Sequence, residues 1–233
     1  MPKSKRGGVP GRPLLWEALK HEMRHDLLAF LAADSRWRAE QQTRPLAVEG
    51  HFGMPLAGSW PAVTLRLPPG ETVQFCGRID RIDVDATGSR AVVIDYKTGA
   101  YDRYRVLQHD PLGGGRFLQL PIYALAARAA LPQLQSVEAQ LWFVTRRGGL
   151  RRQAVALEGV ADRLHDVLGR IASGIRQGLF PARPLDCKAC PFDRLCPATR
   201  QVLWEKKAQD PVLAPYLSLF GLAEAEETPT CSP

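Results

Sequence analysis

Asp80, Asp95 and Lys97 fall within one stretch, residues 75–99, FCGRIDRIDVDATGSRAVVIDYKTG. Side chains alternate along a strand, so the order Asp95-Tyr96-Lys97 sets a carboxylate and an ammonium on one face and the tyrosine ring on the other. If the two halves of the stretch pair as a hairpin, Asp80 approaches Asp95, and two buried carboxylates repel unless a cation lies between them. Carboxylate oxygens completed by a backbone carbonyl and water suit Mg²⁺ or Mn²⁺ rather than zinc. Such an ion can acidify a bound water and stabilise charge growing on a phosphate, with Lys97 orienting the water or neutralising the transition state. Phosphodiester hydrolysis is the chemistry this set could perform. The plain alternative is a surface hairpin whose Asp95 and Lys97 form an ion pair worth little.

Several elements must position these groups. Val92, Val93 and Ile94 are β-branched and apolar, as a largely buried strand requires. The preceding strand alternates, with Val73, Phe75 and Ile79 on one face and Cys76, Arg78 and Asp80 on the other. Asp85-Ala-Thr-Gly88-Ser between them is turn chemistry, Gly88 taking positive φ at little steric cost. Residues 101–115 carry Tyr101, Arg103, Tyr104 and Arg105 ahead of three glycines. They read either as a disordered connector or as a functional loop whose tyrosines stack on bases and whose arginines hold phosphates. Residues 117–131 form a helix with Pro121 in its first turn and Leu118, Ile122, Leu125 and Ala126 as its apolar stripe. Gln119 and Tyr123, four apart, share one of its faces. Residues 139–144 follow as a buried strand.

GRIDRID, a short turn, VVIDYKTG, and Gln119-Leu-Pro-Ile-Tyr123 opening an apolar helix together resemble the PD-(D/E)XK nuclease superfamily in its RecB-like and AddB-like branch. The resemblance covers residues 49–196, and the joint pattern is far more specific than any piece of it. It implies metal binding by Asp80 and Asp95 with the Tyr96 carbonyl, catalysis by Asp80, Asp95 and Lys97, and DNA contact by Gln119 and Tyr123. Glu49-Gly-His-Phe-Gly53 resembles a glutamate-phenylalanine-glycine signature of the family, which makes Glu49 a third candidate ligand, with a solvated strand carboxylate as the alternative. His51 would share its face and is given no role.

The chain has 233 residues, 45% of them hydrophobic, enough for a real core in one main domain. A formal charge of +7 carried largely by arginine favours a polyanionic partner such as nucleic acid. No stretch is long and apolar enough to cross a bilayer, and no hydrophobic signal core opens the chain, so a cytoplasmic location is expected. There is no GxxxxGK[ST] and no helicase sequence, so any ATP-driven motor would belong to another polypeptide or to an upstream region.

Residues 1–13 are basic and rich in Gly and Pro, an expected flexible arm. Leu15, Leu19, Met23 and Leu27 recur at helical spacing over residues 14–37. His21 and His25 share a face of that helix, with nothing nearby to complete a metal site. The resemblance leads to an upstream histidine that cannot be placed here, which implies that the chain begins partway through a larger domain. Residues 45–52 read as a strand entering the sheet, and Val63-Thr-Leu-Arg-Leu67 as another ending in a Pro-Pro-Gly turn. Arg146, Arg147, Arg151 and Arg152 flank a glycine turn in a basic hairpin facing nucleic acid or solvent.

Residues 161–180 form an amphipathic helix using Leu164, Val167, Leu168, Ile171 and Ile175, and residues 201–222 a docking helix with Val202, Leu203 and Trp204. Between them Cys187-x2-Cys190-x5-Cys196, with a proline after two of the three, resembles the end of the iron-sulfur fold of AddB-like nucleases. Three thiolates could hold three corners of a [4Fe-4S] cluster, with Zn²⁺ as the alternative. No fourth ligand is evident. Cys76 reads as a small buried hydrophobe about 13 Å along the strand from Asp80, and Cys231 lies in a tail expected to fray.

The expected fold is α/β, a mixed central β-sheet flanked by helices with a restriction-endonuclease-like core and a small cysteine-rich appendage. The expected divisions are an arm at 1–13, a nuclease domain at 14–183 with a helical lead-in at 14–44 and a core at 45–183, a cluster segment at 184–204, and a helix and tail at 205–233. The expected function is Mg²⁺- or Mn²⁺-dependent DNA hydrolysis, exonucleolytic in form, in repair or recombination alongside a helicase. The competing reading is an inactive DNA-binding or helicase-docking scaffold that keeps the fold.

Overall fold

A computed structural model describes residues 13–220 apart from Pro69, Asp186, Lys188 and Ala189. Residues 1–12 of the arm expected at 1–13, the tail and Cys231 therefore lie outside the described residues, and Pro13 instead opens the first helix. Five strands form a sheet of order β1-β4-β5-β6-β7: β1 Thr43–Phe52, β4 Gly77–Asp85, β5 Arg90–Lys97, β6 Ser136–Phe143 and β7 Arg152–Ala156. β5 and β6 run parallel and the other neighbours antiparallel, so the sheet is mixed as the sequence predicts. A parallel pair needs a crossover, and α2, Gln119–Ala130, lies within the β5–β6 connection. β2, Val63–Leu67, and β3, Glu71–Phe75, form a separate hairpin.

β5 is apolar without alternation because both faces of the sheet are covered. Ala91 and Val93 join the large core with α2 and with α3, Ala161–Arg176, whereas Val92 and Ile94 join a smaller core with Trp37 and Trp142 under α1, Pro13–Gln41. Asp95 and Lys97 continue the first row and Tyr96 the second. The turn before β5 closes as its residue types dictate. Asp85 Oδ1 accepts from the amides of Ser89 and Arg90 at 3.0 and 3.1 Å, its Oδ2 accepts from Thr87 Oγ1 at 2.7 Å, and Gly88 takes a φ of 71°. Thr87 first, then the Arg90 amide, holds the Asp85 carboxyl below its ordinary range.

Several expectations are corrected. The strand expected through residues 73–80 is two strands broken at Cys76, because β3 pairs with β2 while β4 enters the main sheet. Cys76 is consequently exposed at the break, not buried. The α1 leucines at helical spacing do not make its docking face: Leu15 is 66% exposed, and the helix packs instead through Phe30, Ala33 and Trp37. Residues 101–115 are not a loose connector. Tyr101 and Tyr104 are buried edge-on against Phe143, unable to stack on bases, and residues Asp102–Gln108 form a 3-10 turn. α3 stops at Arg176 where Gly178 takes a φ of 67° and the Leu179 amide donates back to the Gly174 carbonyl, leaving Ile175 exposed. The expected C-terminal helix is broken: α4, Arg200–Lys207, ends before Asp210, whose carboxylate caps a new 3-10 turn begun by Pro211. Trp204 is buried there, but Val202 and Leu203 are exposed.

Among the described residues no helix is long and apolar enough to cross a membrane.

Candidate active site

The β4–β5 register sets the site. Arg81 pairs with Ile94, so Asp80 and Asp95 stand one step beyond, on the same face, where the ladder has ended. Instead of a backbone carbonyl, the Tyr96 amide finds the Asp80 carboxylate, donating to Oδ2 at 2.8 Å. Asp95 is buried, and its Oδ2 lies 2.5 Å from Lys97 Nζ. Lys97 Nζ donates to Gln119 Oε1 at 3.1 Å, and Gln119 Nε2 donates to Asp95 Oδ1 at 2.7 Å and to Tyr123 Oη at 3.1 Å. The first turn of α2 thus closes a ring of contacts with the end of β5. Tyr123 is fixed in turn by the edge of Phe52 on β1, ring centroids 5.9 Å apart.

Burial pushes the Asp95 carboxyl up, the nearby Asp80 charge adds to that, and Lys97 opposes both. Lys97 pairs with Asp95, while Asp80 accepts from the Tyr96 amide and meets no cation among the described residues, so the two carboxylates retain an affinity for a further cation. Asp95 Oδ2 is buried against the Lys97 ammonium, a hard oxygen that a metal ion could share with the lysine. The donor set of Asp80, Asp95 and the Tyr96 carbonyl is all oxygen and fits Mg²⁺ or Mn²⁺. Among the described residues no three His, Cys, Asp or Glu side chains converge as a metal-holding group, so a metal here would draw its remaining ligands from backbone and water.

Glu49 sits opposite Asp80, since Val48 pairs with Arg81 and Gly50 with Ile79. Its carboxylate is turned to Arg78 at 2.9 Å, with a backbone φ of 51°. His21 and His25 face each other on α1, Nε2 to Nε2 3.1 Å. Of the four hairpin arginines, Arg146 pairs with Asp26 at 2.9 Å, Arg151 lies over Tyr101, and Arg152 lies over Trp37 and Trp142, so three serve internal contacts. Cys187, Cys190 and Cys196 are free and line one cavity of about 400 Å³ with Arg183 and Trp204.

Behind Tyr96 lies a charged cluster that the motif reading missed. Arg81 donates to Asp83 Oδ1 at 2.5 Å, to Asp34 Oδ1 at 2.7 Å and to Tyr96 Oη at 3.1 Å, and Arg38 donates to Asp34 Oδ2 at 2.9 Å. Burial opposes the Arg81 charge, yet the bonds from Asp83 and Asp34 outweigh it and raise its pKa. The i,i+2 spacing of Arg81 and Asp83 was a usable signal. Asp34, 47 residues upstream, was not legible as their partner.

Two curated proteins, each named as a subunit of an ATP-dependent helicase/deoxyribonuclease, are similar to this chain. The one from Moorella thermoacetica is 37% identical over 127 residues, 52% of this chain and 10% of that protein. The one from Desulforudis audaxviator is 40% identical over 100 residues, 38% of this chain and 8% of that protein. The matched part thus spans about a tenth of the length of these relatives. The solved structure of SSO0001 aligns at 19% identity and a TM-score of 0.35, covering 73% of this chain and 68% of the other. Residues 3–197, which include the hairpin, the glutamine-tyrosine helix and the three cysteines, match the PD-(D/E)XK nuclease superfamily, and the chain belongs to it.

Proposed function

We propose that this chain is a metal-dependent DNA nuclease domain acting in repair or recombination with a helicase. The observation that carries the reading is the unbroken run of contacts from Asp95 through Lys97 and Gln119 to Tyr123, with Asp80 on the adjoining strand. Family membership supports nuclease chemistry, and the names of the two relatives support DNA as substrate and a helicase as partner or fused neighbour.

Asp80, Asp95 and the Tyr96 carbonyl would hold Mg²⁺ or Mn²⁺, which when bound supplies an acidified water and neutralises charge on the phosphate. Glu49 would join only if Arg78 released it. Lys97, tethered by Gln119, presents its ammonium beside the carboxylates, where it orients the attacking water and balances charge gained by the phosphate oxygens. Gln119 holds acid and lysine at a fixed separation and, with Tyr123, faces the strand. The divisions proposed are a nuclease unit through residue 183, the cysteine segment 184–204, and the tail. Cys187, Cys190 and Cys196 have the soft donors an iron-sulfur cluster needs, in a structural role, and iron and sulfide content of anaerobically purified protein tests that assignment.

The decisive experiment is hydrolysis of single-stranded and duplex DNA with Mg²⁺, Mn²⁺ or EDTA, alongside Lys97→Ala. Cleavage by the parent protein only with metal, and its loss in the lysine variant, are expected. Cleavage that survives EDTA or the substitution would overturn the mechanism, and DNA binding without any cleavage would favour an inactive scaffold.

A further inference from the structure

Beside Lys97 a cleft of about 390 Å³ opens between the 3-10 turn Asp102–Gln108 and the start of α2. Its floor is apolar, formed by Leu107, Leu120, Leu141 and Phe117, and its polar lining includes Lys97, Arg103, Arg116 and Gln119 but no carboxylate. That volume is in the range of small-ligand pockets, roughly 300–1,000 Å³, and admits one nucleotide.

The two arginines are held in place without being neutralised. Arg103 lies over the ring of Tyr104 at 4.7 Å and donates to its hydroxyl at 2.5 Å, while the buried Tyr104 is locked against Phe143. Arg116 spends its Nε on the Gly113 carbonyl at 3.1 Å, which leaves its terminal nitrogens for another acceptor. Neither guanidinium meets a carboxylate among the described residues, whereas Arg105 on the same turn is paired with Asp102 at 3.1 Å. The support beneath Arg116 is rigid: a Cβ on Gly114, whose φ is 63°, would lie 2.7 Å from the Leu219 carbonyl oxygen. Lys97, Arg103 and Tyr104 also line a second cleft of about 530 Å³, so these three residues are common to both clefts.

We infer that this cleft is the seat of the nucleotide flanking the scissile phosphate, its base against Phe117 and the apolar floor and its phosphates on the Arg103 and Arg116 forks. Planar guanidinium groups suit phosphate oxygens, and an unneutralised pair beside the reactive lysine marks where the backbone runs. The assignment rests on the reading of Asp80, Asp95 and Lys97 as a phosphodiester-cleaving site.

The test is equilibrium binding of a fluorescent single-stranded oligodeoxynucleotide to the full chain in EDTA, across a series of salt concentrations. Arg103→Gln with Arg116→Gln should weaken binding about tenfold and flatten the plot of log K against log salt by about 1.4, two lost phosphate contacts at roughly 0.7 each. Arg103→Lys with Arg116→Lys should keep most of the slope, and thermal unfolding of each variant checks its fold. Arg105→Gln should change neither quantity. Parent-like affinity and slope in the glutamine pair, or an equal loss in Arg105→Gln, would overturn the subsite while leaving the nuclease reading intact. Failure of the parent chain to bind the oligonucleotide would overturn both.

Discussion

Asp80 accepts the amide of Tyr96 at 2.8 Å, across a gap where β4 and β5 have stopped pairing. A carboxylate therefore does the work of a strand carbonyl and is held within reach of its neighbour Asp95. The same tyrosine is held from behind, its hydroxyl accepting from Arg81 and its ring edge-on to Phe30 with centroids 5.4 Å apart. The peptide between Asp95 and Lys97 is thus fixed on both faces of the sheet.

Arg81→Ala should be severely destabilising, by about 3–5 kcal/mol, because it strands Asp83 as an unpaired buried charge and leaves the buried Asp34 with Arg38 alone. Tyr96→Phe removes one hydrogen bond and keeps the ring packing, so it should cost about 1 kcal/mol. Urea unfolding distinguishes the two. Similar losses would mean that the charges behind Tyr96 do not act as a buried cluster.

Gln119→Ala should reduce metal-dependent cleavage by about 10- to 100-fold, the usual effect of losing a group that orients metal-binding and catalytic side chains. Gln119 is exposed, so thermal unfolding should hardly move. A fall in rate matched by a fall in melting temperature would instead make the glutamine a structural strut.

β5 was legible because Val92, Val93 and Ile94 must be buried on both faces, and alternation then fixes where Asp95 and Lys97 point. The shared helix face of Gln119 and Tyr123 was legible from their spacing, whereas their place at the site was implied by the family resemblance. The break at Cys76 was not, since a strand that changes partners keeps its alternation while changing sheets. Nor was burial of Tyr101 and Tyr104, whose neighbour Phe143 lies some 40 residues on and whose flanking arginines make the segment look solvated. The α1 leucines misled for a related reason: periodicity reports an apolar face, and only tertiary contacts decide which residues of a helix meet the sheet.

Trp37→Ala should loosen α1. The helix meets the sheet through few large side chains, and Trp37 stacks edge-on against Trp142 with centroids 5.3 Å apart, below the Arg152 guanidinium. Removing a buried tryptophan costs about 3–5 kcal/mol. Limited proteolysis should then cut within α1 before the sheet core is digested. Protection of α1 equal to that in the parent would place its anchorage elsewhere.

Gly53→Ala should destabilise the end of β1 and, through it, the site. Gly53 has a φ of 64°, and a Cβ there would sit 2.9 Å from both the Phe75 carbonyl oxygen and Cys76 Cβ, at the point where β3 gives way to β4. Backbone cannot yield as a flexible side chain can, so left-handed strain and overpacking add, giving a loss of about 1–3 kcal/mol. Gly88→Ala supplies the contrast. Its φ of 71° carries the same conformational strain, but no atom lies within 4 Å of the added carbon, so its loss should be the smaller. Because Phe52 precedes Gly53 and braces Tyr123, Gly53→Ala should also lower the cleavage rate, whereas Gly88→Ala, at the far end of the hairpin, should leave it near the parent value. Equal effects of the two substitutions on stability and rate would show that close packing at the Cys76 break does not hold the site together.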